Sequence, residues 1–296
     1  MLDKLVTETR NKHTMDLDQM SIQDILQIMN KEDERVTRAI EKEIGSIEKA
    51  VHMVIQSFQN NGRLIYVGAG TSGRLGILDA VECVPTFGSP SEMVHGLIAG
   101  GMKAVSNAVE GAEDNPDFGK KDLENIDLNK NDTVIGLAAS GRTPYVVGAL
   151  QYANEKKAGT VGISCNTNAE ISKCSQIAVE LETGSEVLTG STRLKAGTAQ
   201  KMVLNMISTT AMVGIGKVYQ NLMVDLKPTN HKLEERSKRI IMEATNVDYE
   251  TASSYFEKAN HHVKEAIVMI LLQCSHEEAA EKLRGVNGFV RKALSK

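Results

Sequence analysis

The sequence carries few of the signals that identify a function at sight. Its four cysteines, Cys83, Cys165, Cys174 and Cys274, lie far apart and form no C-x-x-C pair. Neither a redox motif nor a zinc ribbon can be read from them, and reduced thiols in a cytosolic protein are expected. Cys83 alone stands near a motif of interest, which keeps it as a candidate to line a site. The histidines are scattered, and only His261 and His262 are adjacent. Neighbours on a helix point in different directions, so this pair makes a poor metal site, and no metal is expected. Charge of one sign is also missing. Lys and Arg number 34 against 38 Asp and Glu, a net charge of −4, which leaves no basic field to attract nucleic acid. No apolar run could span a bilayer, and the first ten residues are polar and mixed in charge rather than a secretory signal. A cytoplasmic location with no membrane partner is expected. There is no low-complexity segment.

What is present is an ordinary globular composition. The 296 residues are 41% hydrophobic and 24% charged, enough for one large or two modest domains. Residues 1–17 show little periodicity and read as extended or irregular. Ser21 followed by Asp24 marks a capped helix start. Val36, Ile40, Ile44, Ile47, Val51, Val54 and Phe58 then recur every three or four residues, predicting one amphipathic helix that Asn60-Asn-Gly62 stops. From Arg63 the pattern changes to strands near 64–67, 93–98, 133–137, 160–164 and 177–180. Helices are expected at 75–82, 104–109, 145–156 and 171–173. Such alternation predicts an α/β fold with a parallel sheet covered on both faces and right-handed crossovers. Residues 186–225 read as mostly one long helical stretch, with Met202, Met206 and Met212 as core or subunit interface. Residues 233–296 read as a small helical domain, in which Ser275 and Glu278 resemble a capping box.

Two segments carry chemistry. Leu64-Ile-Tyr-Val-Gly-Ala-Gly-Thr-Ser-Gly-Arg-Leu-Gly76 is an apolar strand that ends in glycines, hydroxyls and a helix. Thr133-Val-Ile-Gly-Leu-Ala-Ala-Ser-Gly-Arg-Thr-Pro-Tyr145 repeats the idea. A loop of this kind lets backbone N–H groups and hydroxyls surround a phosphate, and glycine permits the close approach. The candidate phosphate-binding groups are Thr71, Ser72, Ser140 and Thr143, with the backbone N–H groups of Gly73 and Gly141. The same hydroxyls could equally cap helices. Arg74 and Arg142 could add charge or form surface salt bridges. The spacing Gly68-x-Gly70-x-x-Gly73 also fits a dinucleotide loop, but the second strand ends in Ala99-Gly100-Gly101 instead of an acidic ribose ligand.

The Thr-Ser filling of the first loop and the Ser-Gly-Arg-Thr of the second resemble the sugar isomerase (SIS) domain, which binds phosphosugars. Longer segments narrow the resemblance. Asp79-Ala-Val-Glu-Cys-Val-Pro-Thr-Phe-Gly88, Gly111-Ala-Glu-Asp114, Ala139-Ser-Gly-Arg-Thr-Pro-Tyr145 and Thr189-Gly-Ser-Thr-Arg-Leu-Lys-Ala-Gly-Thr-Ala-Gln-Lys201 are similar to segments of the N-acetylmuramic acid 6-phosphate etherase family. So are Thr7-Glu-Thr-Arg-Asn11 and Asn221-Leu-Met-Val-Asp225. Val84 and Ser185 depart from the pattern, each standing where a proline is expected. The resemblance implies a SIS-type parallel sheet sandwiched by helices. An N-terminal helical segment over 1–54, a phosphosugar-binding domain over 55–226 and a C-terminal helical domain over 227–296 are expected.

The resemblance further implies a phosphosugar substrate, a homodimer and no cofactor. It implies that Glu82 protonates a departing lactate oxygen and that Glu113 acts as the base, a division of labour open to two carboxyls in different environments. Lys195 and Arg193 are expected near the site, from the same or a neighbouring subunit. An aldose–ketose isomerase and a non-catalytic sugar-phosphate sensor remain alternatives on the same fold, with a dinucleotide oxidoreductase more distant.

Overall fold

The computed structural model describes residues 5–228 and 230–295; the first four residues of the expected irregular N-terminus lie outside them. Helices α1 (Ile22–Lys42) and α2 (Ile44–Gln59) lead into β1 (Leu64–Gly68), α3 (Gly70–Phe87), β2 (Val94–Ile98), α4 (Lys103–Ser106) and α5 (Pro116–Asn125). Then come β3 (Thr133–Leu137), α6 (Pro144–Glu155), β4 (Gly159–Ser164), α7 (Glu170–Lys173), β5 (Ile177–Glu180) and α8 (Lys195–Gly214). A short hairpin of β6 (Val218–Tyr219) and β7 (Leu222–Met223) precedes α9 (His231–Thr245), α10 (Tyr249–Lys258), α11 (Val263–Leu272), α12 (His276–Arg284) and α13 (Val290–Leu294). By contacts the chain divides into two units, Met1–Val81 with Glu92–Ser208, and Glu82–Ser91 with Thr209–Lys296.

The first unit holds a five-stranded parallel sheet in the order β2-β1-β3-β4-β5. All five expected strands are present. Strands β1 and β3 are buried along their whole length, as a sheet covered on both faces requires. Helix α6 packs against β3 and β4 with α5 beyond it, and α2 lies against β4 and β5. Glycine sets how closely α3 approaches the sheet. A Cβ on Gly76 would lie 2.7 Å from Tyr66 Cβ, and one on Gly96 would lie 2.6 Å from Ile77 Cα. Only hydrogen fits at these contacts.

The expected single amphipathic helix is two, α1 and α2, interrupted at Glu43 (φ −103°, ψ 5°). Both bury one stripe, Val36, Ala39 and Ile40 in α1 and Ile47, Val51, Val54 and Phe58 in α2. Periodicity therefore runs through the break without registering it. The expected cap is present, with the Ser21 side chain accepting from the Asp24 amide. The N-terminal segment, expected to be extended or irregular, holds three short 3-10 turns among its described residues. The long helix expected over 186–225 is shorter. Gly184 and Gly190 (φ +80° and +79°) keep the chain irregular before α8, and Gly216 (φ +79°) ends it ahead of the hairpin. The helix expected at 104–109 shrinks to α4, and α5, whose residues are mostly polar, was not anticipated.

The second unit has its own core, with Ile241, Phe256, Ile267, Leu283 and Val290 around the apolar α11. Its Ser275–Glu278 capping box forms as expected. Among the described residues no helix is long and apolar enough to cross a membrane.

A buried ion pair ties α1 to α8 inside the first unit. Lys195 Nζ sits 2.5 Å from Glu32 Oε2 and 2.6 Å from the Ser185 carbonyl, and both charged side chains are almost wholly enclosed. Burial works against the Glu32 charge. Hydrogen bonds from Lys195 and His13, with the Lys195 and Arg35 charges, outweigh it and hold the carboxyl below its ordinary range. The stabilisation is therefore complete above that ordinary range and is lost as pH falls through the lowered value. Removing one partner of such a pair strands the other. Lys195→Met is expected to cost about 3 kcal/mol, the low end of the usual range because His13 and Arg35 remain beside Glu32. Urea unfolding at neutral pH measures this loss, and Glu32→Gln combined with Lys195→Met should recover part of it.

Candidate active site

Strand order fixes where a ligand can sit. β1 and β3 are neighbours, with Gly68 opposite Leu137 at their carboxyl ends. The chain leaves β1 toward β2 on one side, while β3 leads to β4 on the other. That reversal opens a crevice beyond the strand ends, the usual ligand position in open α/β sheets. Residues 69–72 and 139–143 leave these two strands side by side, so both hydroxyl loops flank the crevice.

In the first loop, helix α3 starts at Gly70 (φ +54°), inside the motif rather than after it. The first amides of a helix have no acceptor within it, so Gly70, Thr71 and Ser72 present theirs at its positive end. Gly73 does not, because its N–H donates to the Ala69 carbonyl at 3.2 Å. The role of Gly73 is spatial: a Cβ there would meet Ile98 Cγ1 at 2.6 Å and Gly68 O at 2.7 Å. Thr71 is half-buried and Ser72 buried. Ser72 Oγ donates to Gln200 Oε1 on α8 at 2.8 Å, while Gln200 Nε2 is buried without a hydrogen-bond partner. Turning that amide over would make Nε2 the donor to Ser72 Oγ and release the serine proton toward an anion.

The second loop is built differently. Gly141 takes φ +73°, and its N–H donates to the Ala138 carbonyl at 2.9 Å. It too gives space instead of an amide, since a Cβ would lie 2.4 Å from Ala169 Cβ. The Arg142 amide donates to Ser140 Oγ at 3.3 Å. Thr143 is the N-cap of α6, yet its side chain makes no cap bond. Its hydroxyl is therefore not occupied by the capping role that competes with phosphate. Both Ser140 and Thr143 are half-buried.

Glu113 belongs to this region. Its main-chain carbonyl accepts the Tyr145 N–H in the first turn of α6 at 3.0 Å. Its side chain is exposed, and it lines a cavity of about 220 Å³ with Ala69, Gly70, Arg74, Asn107 and Glu110. The structure thus brings Glu113 to the first loop as well as the second. Arg74 is engaged by main-chain carbonyls. Its guanidinium donates to the carbonyls of Ala104, Val105 and Asn107 at 2.9–3.1 Å and so holds the segment leading to Glu113. Glu82 is exposed on α3, beside the exposed Val81 and one turn beyond the exposed Leu78. Cys83 is buried and lines no cavity wall described for this site. Lys195 is committed to Glu32, and Arg193 is exposed.

Three residues not picked out from sequence support the site. Glu186 is fully buried, and its two oxygens accept the Lys195 and Ala196 amides, capping α8. Burial raises its pKa, with those amides and the Lys195 charge pulling against the rise. Asn166 donates to Thr7 Oγ1 and to the Ala139 carbonyl, both at 3.0 Å, pinning the Thr7–Asn11 motif against the second loop. Gln200 is the third. Asp79, one turn before Glu82, accepts from Tyr66, Asn205 and Ser208 at 2.7, 2.7 and 3.1 Å and anchors α3 to β1 and α8. Ser185 in place of proline adds a 2.6 Å hydroxyl contact with Thr9.

Comparisons with known proteins bear on the family and the fold. A family profile described as glucokinase regulatory protein N-terminal SIS domain matches residues 46–154, and one described as SIS domain matches residues 102–210. An N-acetylmuramic acid 6-phosphate etherase of Bacillus cytotoxicus is 66% identical over 294 residues, covering 99% of this chain and 100% of that protein. One from Bacillus cereus is 65% identical with the same coverage. Among solved structures, a phosphoheptose isomerase from Neisseria gonorrhoeae aligns with a TM-score of 0.50 at 14% identity, over 64% of this chain and 98% of that one. That likeness is one of fold.

Gly141→Ala tests the second loop. Placing an L side chain in the left-handed region costs about 1–2 kcal/mol before the clash with Ala169 is counted. The variant should melt at a lower temperature and bind phosphosugar more weakly, checked by differential scanning fluorimetry with and without ligand.

Proposed function

The chain belongs to the N-acetylmuramic acid 6-phosphate etherase family, and from this membership we propose that two glutamates divide the work of cleaving the substrate's lactyl ether. The enzyme converts N-acetylmuramic acid 6-phosphate to N-acetylglucosamine 6-phosphate and D-lactate, by elimination of lactate and re-addition of water. An alkoxide is a poor leaving group, so the ether is not displaced directly. Ring opening makes C1 an aldehyde, which acidifies the proton on C2. A base removes that proton, the C3–O bond breaks as the C2–C3 double bond forms, and an acid protonates the lactate oxygen. Water then adds at C3, and the proton returns to C2.

The observation that carries the residue assignment is the cavity shared by Glu113 and the start of α3. The first amides of α3, with Thr71, Ser72, Ser140 and Thr143, bind the phosphate. Gly73 and Gly141 let the two loops pack closely against Ile98 and Ala169 and so hold those groups in place. Glu113, beside that anion site, is the base for C2. Glu82 is the acid for the lactate oxygen. It stands more than three helical turns past Gly70, roughly 18 Å along the axis at 1.5 Å per residue. An opened hexose phosphate held at its own chain's loop does not extend so far. Glu82 therefore serves the phosphate loop of a second copy, and the exposed Leu78 and Val81 beside it form part of the surface that copy covers. The protein acts as a homodimer. No disulfide joins its cysteines, which fits a reducing, cytoplasmic setting.

General acid or base removal typically costs ~10²–10⁴ in rate. Glu82→Gln should lower lactate release by that order while phosphosugar binding persists; near-normal release would remove Glu82 from the mechanism. Mixing denatured Glu82→Gln and Ser72→Ala chains and refolding them together should restore activity well above either parent. Each mixed dimer then holds one site with both groups intact. No recovery would place Glu82 at its own chain's site.

A further inference from the structure

We propose that His262, Glu265 and His276 form a divalent-metal site of the zinc type on the C-terminal helical unit, separate from the phosphosugar site. Their donor atoms lie within 4.8 Å of one another. His262 is the residue before α11, Glu265 lies in the first turn of that helix, and His276 is the first residue of α12. One carboxylate oxygen, Glu265 Oε2, faces both imidazoles. His262 Nδ1 lies 3.2 Å from it, and His276 Nε2 approaches it more closely still.

The local fold accounts for each orientation. His262 occupies the N-cap position of α11 but makes no side-chain cap bond, so capping does not explain where its ring points. Its neighbour His261 is engaged elsewhere, 3.5 Å from Glu257 and edge-on to the Phe256 ring with centroids 4.8 Å apart. The adjacent histidines lie in the turn between α10 and α11, with His261 at φ +66°, not on a helix as expected from the sequence; they have different partners, and the second ligand comes from α12. On α12, the capping box of Ser275 and Glu278 fixes the first turn and with it His276.

Two imidazoles and a carboxylate suit zinc in both softness and geometry. Metal–ligand bonds of 2.0–2.2 Å in a tetrahedron put neighbouring donors about 3.3 Å apart. The His262–Glu265 separation already matches, and the His276 ring needs only to withdraw slightly. A water completes the fourth position. The positive ends of α11 and α12 oppose a cation, so binding weaker than at a closed four-ligand site is expected. A bound ion would join α11 to α12 across the turn between them.

Titration of the full-length protein with Zn²⁺ alone, by isothermal calorimetry after chelator treatment, tests this site. The expected result is one ion per chain, with His262→Ala and His276→Gln each weakening binding by ~10-fold or more, and a zinc-dependent rise in melting temperature that both variants lose. His262 is exposed, so its variant does not endanger folding. Absence of stoichiometric binding, or wild-type affinity in either variant, would overturn the three-ligand site and in the latter case assign the zinc to other groups.

Discussion

The rest of the structure depends on the adjacency of two parallel strands, β1 and β3. Because the order reverses between them, their carboxyl ends open onto one crevice and two polar loops meet there. Each loop is held by contacts that a side chain at the wrong glycine would destroy. Strands about 4.8 Å apart bring two hydroxyl loops to one crevice, where the proposed phosphate site lies. Backbone amides and hydroxyls suit this purpose, since they bind a phosphate dianion without competing as fixed charges for the reacting carboxyls.

Around that crevice the buried and half-buried charged groups serve the framework. Glu186 caps α8, Glu32 pairs with Lys195, Asp79 joins α3 to β1 and α8, and Arg74 holds the carbonyls before Glu113. Perturbed carboxyls often mark catalytic sites. Here Glu32 and Glu186, both displaced from their ordinary range, hold helices in place. Glu82 and Glu113 are exposed on a single chain. In the proposed mechanism their reactivity comes from surroundings that a bound sugar and a second copy supply.

Much of this was legible in the sequence. The five strands follow from short apolar runs bounded by glycine and polar residues, and the loops from their position after β1 and β3. The family resemblance rested on long motifs that periodicity alone could not supply. What the sequence hid has specific causes. The break at Glu43 leaves the apolar stripe intact, so no pattern reveals it. Helix α3 begins inside the glycine motif, where propensity argues against a helix, and this moves the available amides from Gly73 to Gly70, Thr71 and Ser72. Lys195 looked like a site cation because it is a lysine in a matched motif, but its partner Glu32 is 163 residues away in the chain. Asn166 and Gln200 are ordinary polar residues until the fold brings them to Thr7 and Ser72. The hydroxyl of Thr143, by contrast, could have been only a cap, and its side chain makes no such bond.

The central claim is that proton abstraction at C2 and protonation of the lactate oxygen belong to different carboxyls. Solvent-deuterium incorporation at C2 of N-acetylmuramic acid 6-phosphate, followed by NMR alongside lactate release, measures the two steps separately. The account predicts that Glu82→Gln still exchanges the C2 proton while lactate release collapses, and that Glu113→Gln loses both. Exchange that survives in Glu113→Gln, or disappears in Glu82→Gln with its phosphosugar binding intact, would contradict it.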